Sequence, residues 1–280
     1  MNKNVKSKMN TMKRLIATLL IPVVVLSACT EDESSNDMDN NTPPTVPSES
    51  TMAPDLDAFD EESSEEGRVA AIGNWGYAAL NVGVYTSILY QHLVIPVTAF
   101  KATVGTEAYF DEETELWVWE KNFDIPAQSD YQVKLTADVD GNDVDWKGYI
   151  SHGTEIDEFM WFEGESTVNG ESGSWMLYES PENPNVWLTS DWTDEDDETV
   201  ADATFTVMKE GDNKGSWIKF EADATADLDR TVTIFDASMD NEVTIMWSQA
   251  EVNGQVMSEA HFDDTAYHCW DANLMDTTCE

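Results

Sequence analysis

Gly173-Ser174-Trp175-Met176-Leu177-Tyr178-Glu179 recurs, with four of seven residues identical, as Gly215-Ser216-Trp217-Ile218-Lys219-Phe220-Glu221. Each copy begins with a glycine suited to a turn and continues with large side chains, which is typical of a strand leaving a β-hairpin. We interpret the two copies as one style of hairpin used twice, because too few other positions match to indicate a duplicated domain. The repeat therefore predicts antiparallel β-structure.

Turn signals of the same kind recur around the repeat, at Asp140-Gly141, Asn169-Gly170, Asp212-Asn213 and Asn253-Gly254. Between them lie runs with the period of two that marks strands. The predicted strands are 115–123, 131–139, 144–151, 158–168, 174–179, 186–192, 203–209, 216–222, 231–236, 242–248 and 255–262. Short turns make sequence neighbours pair antiparallel, so we predict a mainly β fold built as a long up-and-down meander.

Several strands carry large apolar residues on both faces, as in Phe159-Met160-Trp161-Phe162. A sheet wet on one face would alternate more cleanly, so we predict a curved sheet or half-barrel with one face covered. The cover is one buried N-terminal α-helix over 67–95, ended by Pro96. Because 69–100 contains no Asp, Glu, Lys or Arg, a membrane span is the alternative, and its polar amides and glycines favour a helix buried against the sheet.

The N-terminal residues carry five bases and then an apolar run from Leu15 to Leu26, which is the pattern of an export signal. Leu26-Ser27-Ala28-Cys29 resembles the lipobox of bacterial lipoproteins. The resemblance implies that the signal peptide 1–28 is removed and that Cys29 is lipidated. It also implies a lipid-anchored, extracytoplasmic protein of the outer membrane or cell surface. The alternative is a plain secretion signal in which the cysteine occurs by chance.

Residues 29–66 follow the anchor and are rich in Pro, Ser, Asn and acidic residues. Such a composition buries too little apolar surface to offset the entropy of ordering, so we predict a disordered acidic tether. Residues 67–280 then form a single β-rich domain with a C-terminal disulfide loop.

The chain has a formal net charge of −42, with 56 acidic and 14 basic residues. A field of this sign repels nucleic acid and anionic lipid surfaces. We therefore predict no nucleic-acid partner, and contact with a membrane only through the lipid on Cys29. A protein partner cannot be named from the sequence.

Cys269 and Cys279 form an even pair in an oxidising compartment, which predicts a disulfide between them. The densest acidic loop contains Asp191, Asp194, Asp196 and Asp197. Its oxygens are ligands that Ca²⁺ prefers, so a weakly bound calcium is the one cofactor considered, although a solvated loop explains the same residues.

No motif for a catalytic nucleophile, a phosphate loop, a dinucleotide or a catalytic zinc is present. The cluster of His261, Asp263, Asp264 and His268 has no recognised zinc spacing. The triplets that begin at Asp264 and Asp276 resemble a short O-glycosylation motif of Bacteroidota-type secreted proteins, which would place sugars on Thr265 and Thr277.

The mature part looks like uncharacterised Bacteroidota-type surface lipoproteins and, in outline, like half-barrel lipid carriers of bacterial envelopes. Three hypotheses follow. The first is a non-catalytic contact or binding module. The second is a carrier of an apolar, lipid-like ligand held between the helix 69–95 and the sheet. The third is an enzyme that acts on polysaccharide, supported only by location and abundant carboxylates.

Overall fold

The computed structural model describes residues 42–53, 56, 59, 73–126, 128–195 and 200–279, without the side chains of 87–92, 195 and 200. The predicted signal peptide 1–28, the lipidation site Cys29 and most of the predicted tether lie outside these residues.

A single antiparallel sheet of 14 strands makes up most of the described chain, and its strands follow one another in sequence order. The strands are β1 (Tyr109–Asp111), β2 (Leu116–Ile125), β3 (Gln128–Asp140), β4 (Asp143–His152), β5 (Ile156–Thr167), β6 (Ser172–Ser180), β7 (Asn183–Glu195), β8 (Val200–Val207), β9 (Trp217–Asp223), β10 (Arg230–Asp236), β11 (Asn241–Trp247), β12 (Gly254–Met257), β13 (His268–Trp270) and β14 (Asp276–Thr277). The sheet is not closed, since β1 and β14 form its edges. The predicted mainly β, up-and-down meander is confirmed.

The eleven predicted strands correspond to β2 through β12, and the sequence missed β1, β13 and β14. These three strands have two or three residues each, which is too short to show alternation. The last predicted strand also ran too far, because Glu259–Phe262 forms a short helix, α2.

One face of the sheet, the covered face, is lined by a ladder of tryptophans. Trp146 lies 5.4 Å from Trp119 and 6.4 Å from Trp175, measured between ring centroids, and Trp192 stacks on Trp175 at 5.5 Å. Phe100, from the helix α1 (Asn74–Thr103), meets the ring of Trp175 edge-on at 5.2 Å. Helix and sheet therefore share one aromatic core at this point.

Glycines make room for this core. In four cross-strand pairs, an aromatic ring lies over a glycine of the preceding strand. A Cβ on that glycine would lie 2.1–2.5 Å from a ring atom. The pairs are Gly148 with Phe162, Gly164 with Trp175, Gly173 with Trp192, and Gly254 with Trp270. Gly254 is therefore a strand residue of β12, and its interpretation as a turn glycine was wrong.

The two copies of the repeated heptapeptide occupy opposite phases of the sheet. Trp175 is fully buried on the covered face. Trp217 pairs with Phe235 and stacks on it at 5.9 Å, while its neighbour Ile218 takes the buried position. Trp217 thus lies on the other face, which we call the open face and which also carries Lys134, Tyr149 and Met176.

The helix in the structure differs in its bounds from the helix predicted over 67–95. Residues 67–72 lie outside the described part, and α1 continues through Pro96 to Thr103. Pro96 is buried between buried Leu93 and Ala99, so tertiary packing offsets the hydrogen bond that proline removes. Among the described residues, no helix combines the length and the apolarity needed to cross a membrane.

An ordered segment precedes α1 within the predicted tether. Trp175 Nε1 donates to Thr51 Oγ1 at 3.0 Å, and Ser190 Oγ donates to the backbone oxygen of Thr51. Met52, Leu56 and Phe59 are buried. The structure therefore differs from the predicted disorder of 29–66 in this segment, because its few apolar side chains meet a core formed by distant strands.

Candidate functional site

A cleft of about 500 Å³ opens between the start of β5 and the connection from β6 to β7. Its lining combines apolar and acidic side chains: Glu155, Ile156, Asp157, Glu158, Phe159, Met160, Tyr178, Pro181 and Pro184. We call it the β5 cleft. Aromatic rings and prolines supply rigid apolar walls, and three carboxylates supply negative charge.

Irregular pairing of β5 creates this cleft. The register between β4 and β5 shifts twice, once beside Tyr149 and once between Ile150 and His152. Within the shifted stretch Glu158 has a φ of +43°, a left-handed conformation that is uncommon for a residue other than glycine. Its backbone N–H is satisfied by Ser151 Oγ at 3.0 Å. Such bulges redirect side chains, and here Glu158 lies beside Lys134 of the open face while Phe159 packs against the core.

A salt bridge marks one wall of the cleft. Lys134 Nζ lies 2.5 Å from Glu158 Oε1, and the ammonium is 5.4 Å from the ring centre of Tyr149. The hydrogen bond to Glu158 is the main cause that raises the pKa of Lys134. On the far side of this pair lies a second groove of about 230 Å³, which shares Glu158 with the β5 cleft.

Tyr178 forms another wall, and its hydroxyl donates to Glu163. Burial first, and then the Glu163 carboxylate, raise the pKa of Tyr178 from 10.0 to about 12. The phenol therefore stays neutral and acts as a hydrogen-bond donor throughout the physiological range.

This raised pKa predicts a loss of stability in alkali. Between pH 10 and about 12 the folded protein keeps the Tyr178 proton that the unfolded chain loses. The free energy of unfolding should therefore fall as pH rises through this window. Urea unfolding from pH 8 to pH 12 measures it. Since Tyr85 has a pKa of about 12 as well, Tyr178→Phe should reduce the dependence without abolishing it, and an unchanged slope would contradict the assignment.

A larger cleft, of about 690 Å³, lies at the β1 edge of the sheet, and we call it the edge cleft. The segment 43–46 forms one side, and 104–110 forms the other, with Trp117 and Trp119 also in the lining. Glu107 is the only charged residue among those that line it. Its lining therefore has one carboxylate, whereas that of the β5 cleft has three.

The structure joins Cys269 and Cys279 in a disulfide with their Cα atoms 5.3 Å apart, which agrees with the predicted pair.

The predicted calcium ligands that the structure describes are not brought together. Asp191 and Asp194 lie three positions apart in β7, so their side chains point to opposite faces of the sheet and do not converge. Asp196 and Asp197 lie outside the described residues.

The histidine cluster near the C-terminus packs in aromatic stacks. His261 lies flat on Tyr77 at 3.8 Å, and His268 lies flat on Phe262 at 3.8 Å while its Nε2 is 3.1 Å from Asp264. No group of three potential metal ligands occurs within the part of the chain that the structure describes. Thr265 and Thr277 are both exposed.

Catalytic carboxyl groups of glycosidases need a raised pKa in the acid that protonates the leaving group. The described carboxyl groups with a resolved shift all change in the opposite direction: Asp111, Asp223, Asp264 and Asp271. In each, hydrogen bonds from nearby backbone or side-chain groups lower the pKa. These four residues act as turn caps.

The chain matches no protein-family model and no curated protein, and no solved structure matches it.

Sequence reasoning named no ligand-binding residue, so it missed both clefts. The signal for the β5 cleft was present in Phe159-Met160-Trp161-Phe162, where four consecutive large side chains break the alternation. Such a loss of alternation is expected both for a β-bulge and for a strand buried on both faces. The register shifts between β4 and β5 show that a bulge is present.

Proposed function

We propose that this protein is a lipid-anchored lipoprotein of the outer membrane or cell surface and acts as a non-catalytic binding module. In this proposal the sheet is a half-barrel, the N-terminal helix fills its concave side, and the β5 cleft receives the partner. The anchor rests on the lipobox-like stretch Leu26-Ser27-Ala28-Cys29. The observation that supports the binding module is the β5 cleft, a concave site of about 500 Å³.

The chemistry of the β5 cleft favours a positively charged segment of a partner protein. Glu155 and Asp157 supply negative charge, while Glu158 is paired with Lys134. The rings of Phe159 and Tyr178 line the same cleft and can attract lysine and arginine through cation–π contact. The net charge of the chain adds long-range attraction for such a partner.

Cell fractionation tests the anchor. In cells that express the full chain, the protein should sediment with outer membranes and incorporate labelled palmitate. Cys29→Ala should abolish the label and release the protein from the membrane, since the lipid provides the attachment. Retention of the label by Cys29→Ala would contradict lipidation of this cysteine.

Calorimetric titration with a short peptide of alternating lysine, arginine and proline tests the cleft. The double variant Glu155→Gln with Asp157→Asn should weaken binding about tenfold at physiological salt, because it removes two charges that face the ligand. The matched control, Glu112→Gln with Glu113→Gln, removes two exposed charges from the β1–β2 turn. Equal losses in both variants would mean that only net charge attracts the peptide.

The second candidate is a carrier of an apolar, lipid-like ligand, favoured by the nearly uncharged lining of the edge cleft. This position differs from the predicted one between helix and sheet, where Phe100 packs on Phe162 and Trp175. Native mass spectrometry of detergent-free protein should show a bound mass of lipid size that leaves on organic extraction. Val46→Asp, inside the cleft, should abolish that mass, and a bare mass in the parent protein would contradict a pre-loaded carrier.

A further inference from the structure

Helix α1 begins without a cap of its own. Its N-cap residue is Gly73, which has no side chain to accept a hydrogen bond, and its first turn contains no acidic residue. The first backbone N–H groups of a helix need acceptors from outside the helix. The N–H of Asn74 finds one in Asp276 Oδ1 at 2.8 Å, from a residue 202 positions later in the chain.

A second hydrogen bond ties the same residue to the same region. Asn74 Nδ2 donates to the backbone oxygen of Cys269 at 2.9 Å. Asp276 lies in β14, between the two cysteines of the disulfide, and Cys269 is one of those cysteines. The loop closed by the disulfide thus provides both acceptors for the start of α1.

Strand β14, which contains Asp276, has little strand pairing to hold it in place. It has two residues, which pair with Cys269 and Trp270 of β13, and it is the edge of the sheet. Asp276 and Thr277 are both exposed, so no apolar burial fixes the strand. On one side of Asp276, Leu274 is half-buried against the core and Met275 N–H donates to Asp271 Oδ1 at 3.1 Å. On the other side, the disulfide at Cys279 is the constraint on the position of the Asp276 carboxylate.

We propose that the Cys269–Cys279 disulfide is a redox-sensitive latch that holds Asp276 on the N-terminus of α1. A dithiol reductant cleaves the bond by exchange: the protein gains two electrons and two protons as thiols, and the reductant becomes a disulfide. Cys279 is exposed and open to this attack, whereas Cys269 is nearly buried. Reduction releases β14 and Asp276, and the first turn of α1 then loses its cap.

The start of α1 is the part of the helix that this release affects. Beyond Asn74, the helix is fixed by buried Ala78 and Val82 and, at its other end, by Phe100 in the aromatic core. The latch therefore controls a local opening at one end of the helix. In the extracytoplasmic location proposed above the latch is closed, and a reducing compartment keeps it open.

Hydrogen exchange of the purified protein, before and after treatment with dithiothreitol, tests the latch. Peptides that cover the first turn of α1 should exchange on the order of tenfold faster after reduction, the effect expected for loss of a helix cap. Peptides that cover 97–103, in the same helix, should show a change of less than about twofold in their exchange rate. Unchanged exchange at the first turn after complete reduction would overturn the proposal.

Asp276→Ala in the oxidised protein separates the latch from a general effect of the disulfide. It should accelerate exchange at the first turn as reduction does, and reduction of the variant should add little, because both changes remove the same cap. The control Asp264→Ala removes another exposed carboxylate of the C-terminal region, which bonds Ala266 and His268 and not the helix. If reduction and Asp276→Ala accelerated exchange at the first turn additively, Asp276 would not be the residue that links the disulfide to the helix.

Discussion

Gly164→Ala is expected to destabilise the protein by about 1–3 kcal/mol, the range for overpacking a close-packed interior. A Cβ at Gly164 would lie 2.2 Å from the backbone oxygen of Ser174 and 2.4 Å from the ring of Trp175. Neither atom can move freely, because one belongs to the paired strand β6 and the other to a fully buried ring. Urea unfolding followed by tryptophan fluorescence measures the change.

Gly83→Ala is the matched control, with the opposite expected sign. Gly83 is exposed in the middle of α1, and a Cβ there would meet nothing within 4 Å. Alanine should therefore stabilise the helix by about 0.5–1 kcal/mol through the reduced entropy of the unfolded chain. If both variants lost stability equally, the close approach of Trp175 to Gly164 would not be the cause.

Trp175→Ala is expected to have the largest effect of a single change, a loss of about 3–5 kcal/mol. The ring is fully buried and contacts Phe100 of α1, Trp146 and Trp192 of the sheet. The side chain also holds the N-terminal segment through Thr51. Trp175→Phe should lose less, because it keeps a ring and removes mainly the hydrogen bond, worth about 0.5–1.5 kcal/mol. Thermal unfolding and near-UV circular dichroism report both.

Trp217→Ala provides the comparison, since Trp217 has the same place in the repeated heptapeptide. This ring is half-buried on the open face and stacks on Phe235. Removal of this ring should lower the free energy of unfolding through the apolar burial that is lost. It should lower it by about 0.5–1.5 kcal/mol more through loss of the aromatic pair. Equal losses for Trp175→Ala and Trp217→Ala would contradict the assignment of the two rings to different faces.

The sequence predicted the antiparallel meander because its determinants are local. Turn residues such as Asp140-Gly141 and Asn169-Gly170 specify short connections, and Gly141 and Gly170 do have positive φ angles. The sequence also predicted the disulfide, since two cysteines after Cys29 leave one pairing. These features do not depend on contacts between residues that are distant in the sequence.

Other features depended on distant contacts, and local reasoning failed there. Pro96 predicted the end of a helix, yet burial among distant strands keeps it within α1. The composition of 29–66 predicted disorder, yet Thr51 and Met52 are buried in the core. The cap of α1 came from Asp276, which no sequence window around the helix contains.

By itself, the sequence determined an antiparallel β-chain with a period of two and a strongly acidic composition. Only the tertiary structure decided which face each strand buries. The stretches 173–179 and 215–221 share four of their seven residues, yet Trp175 points into the core and Trp217 away from it. The physical reason is that a shift of one residue turns every side chain of a strand to the opposite face. In the second copy, Lys219 and Glu221 mark the open face in the sequence itself. The first copy carries large apolar residues on both faces, so its sequence fixes the period but not the phase, which is set by the register of neighbouring strands.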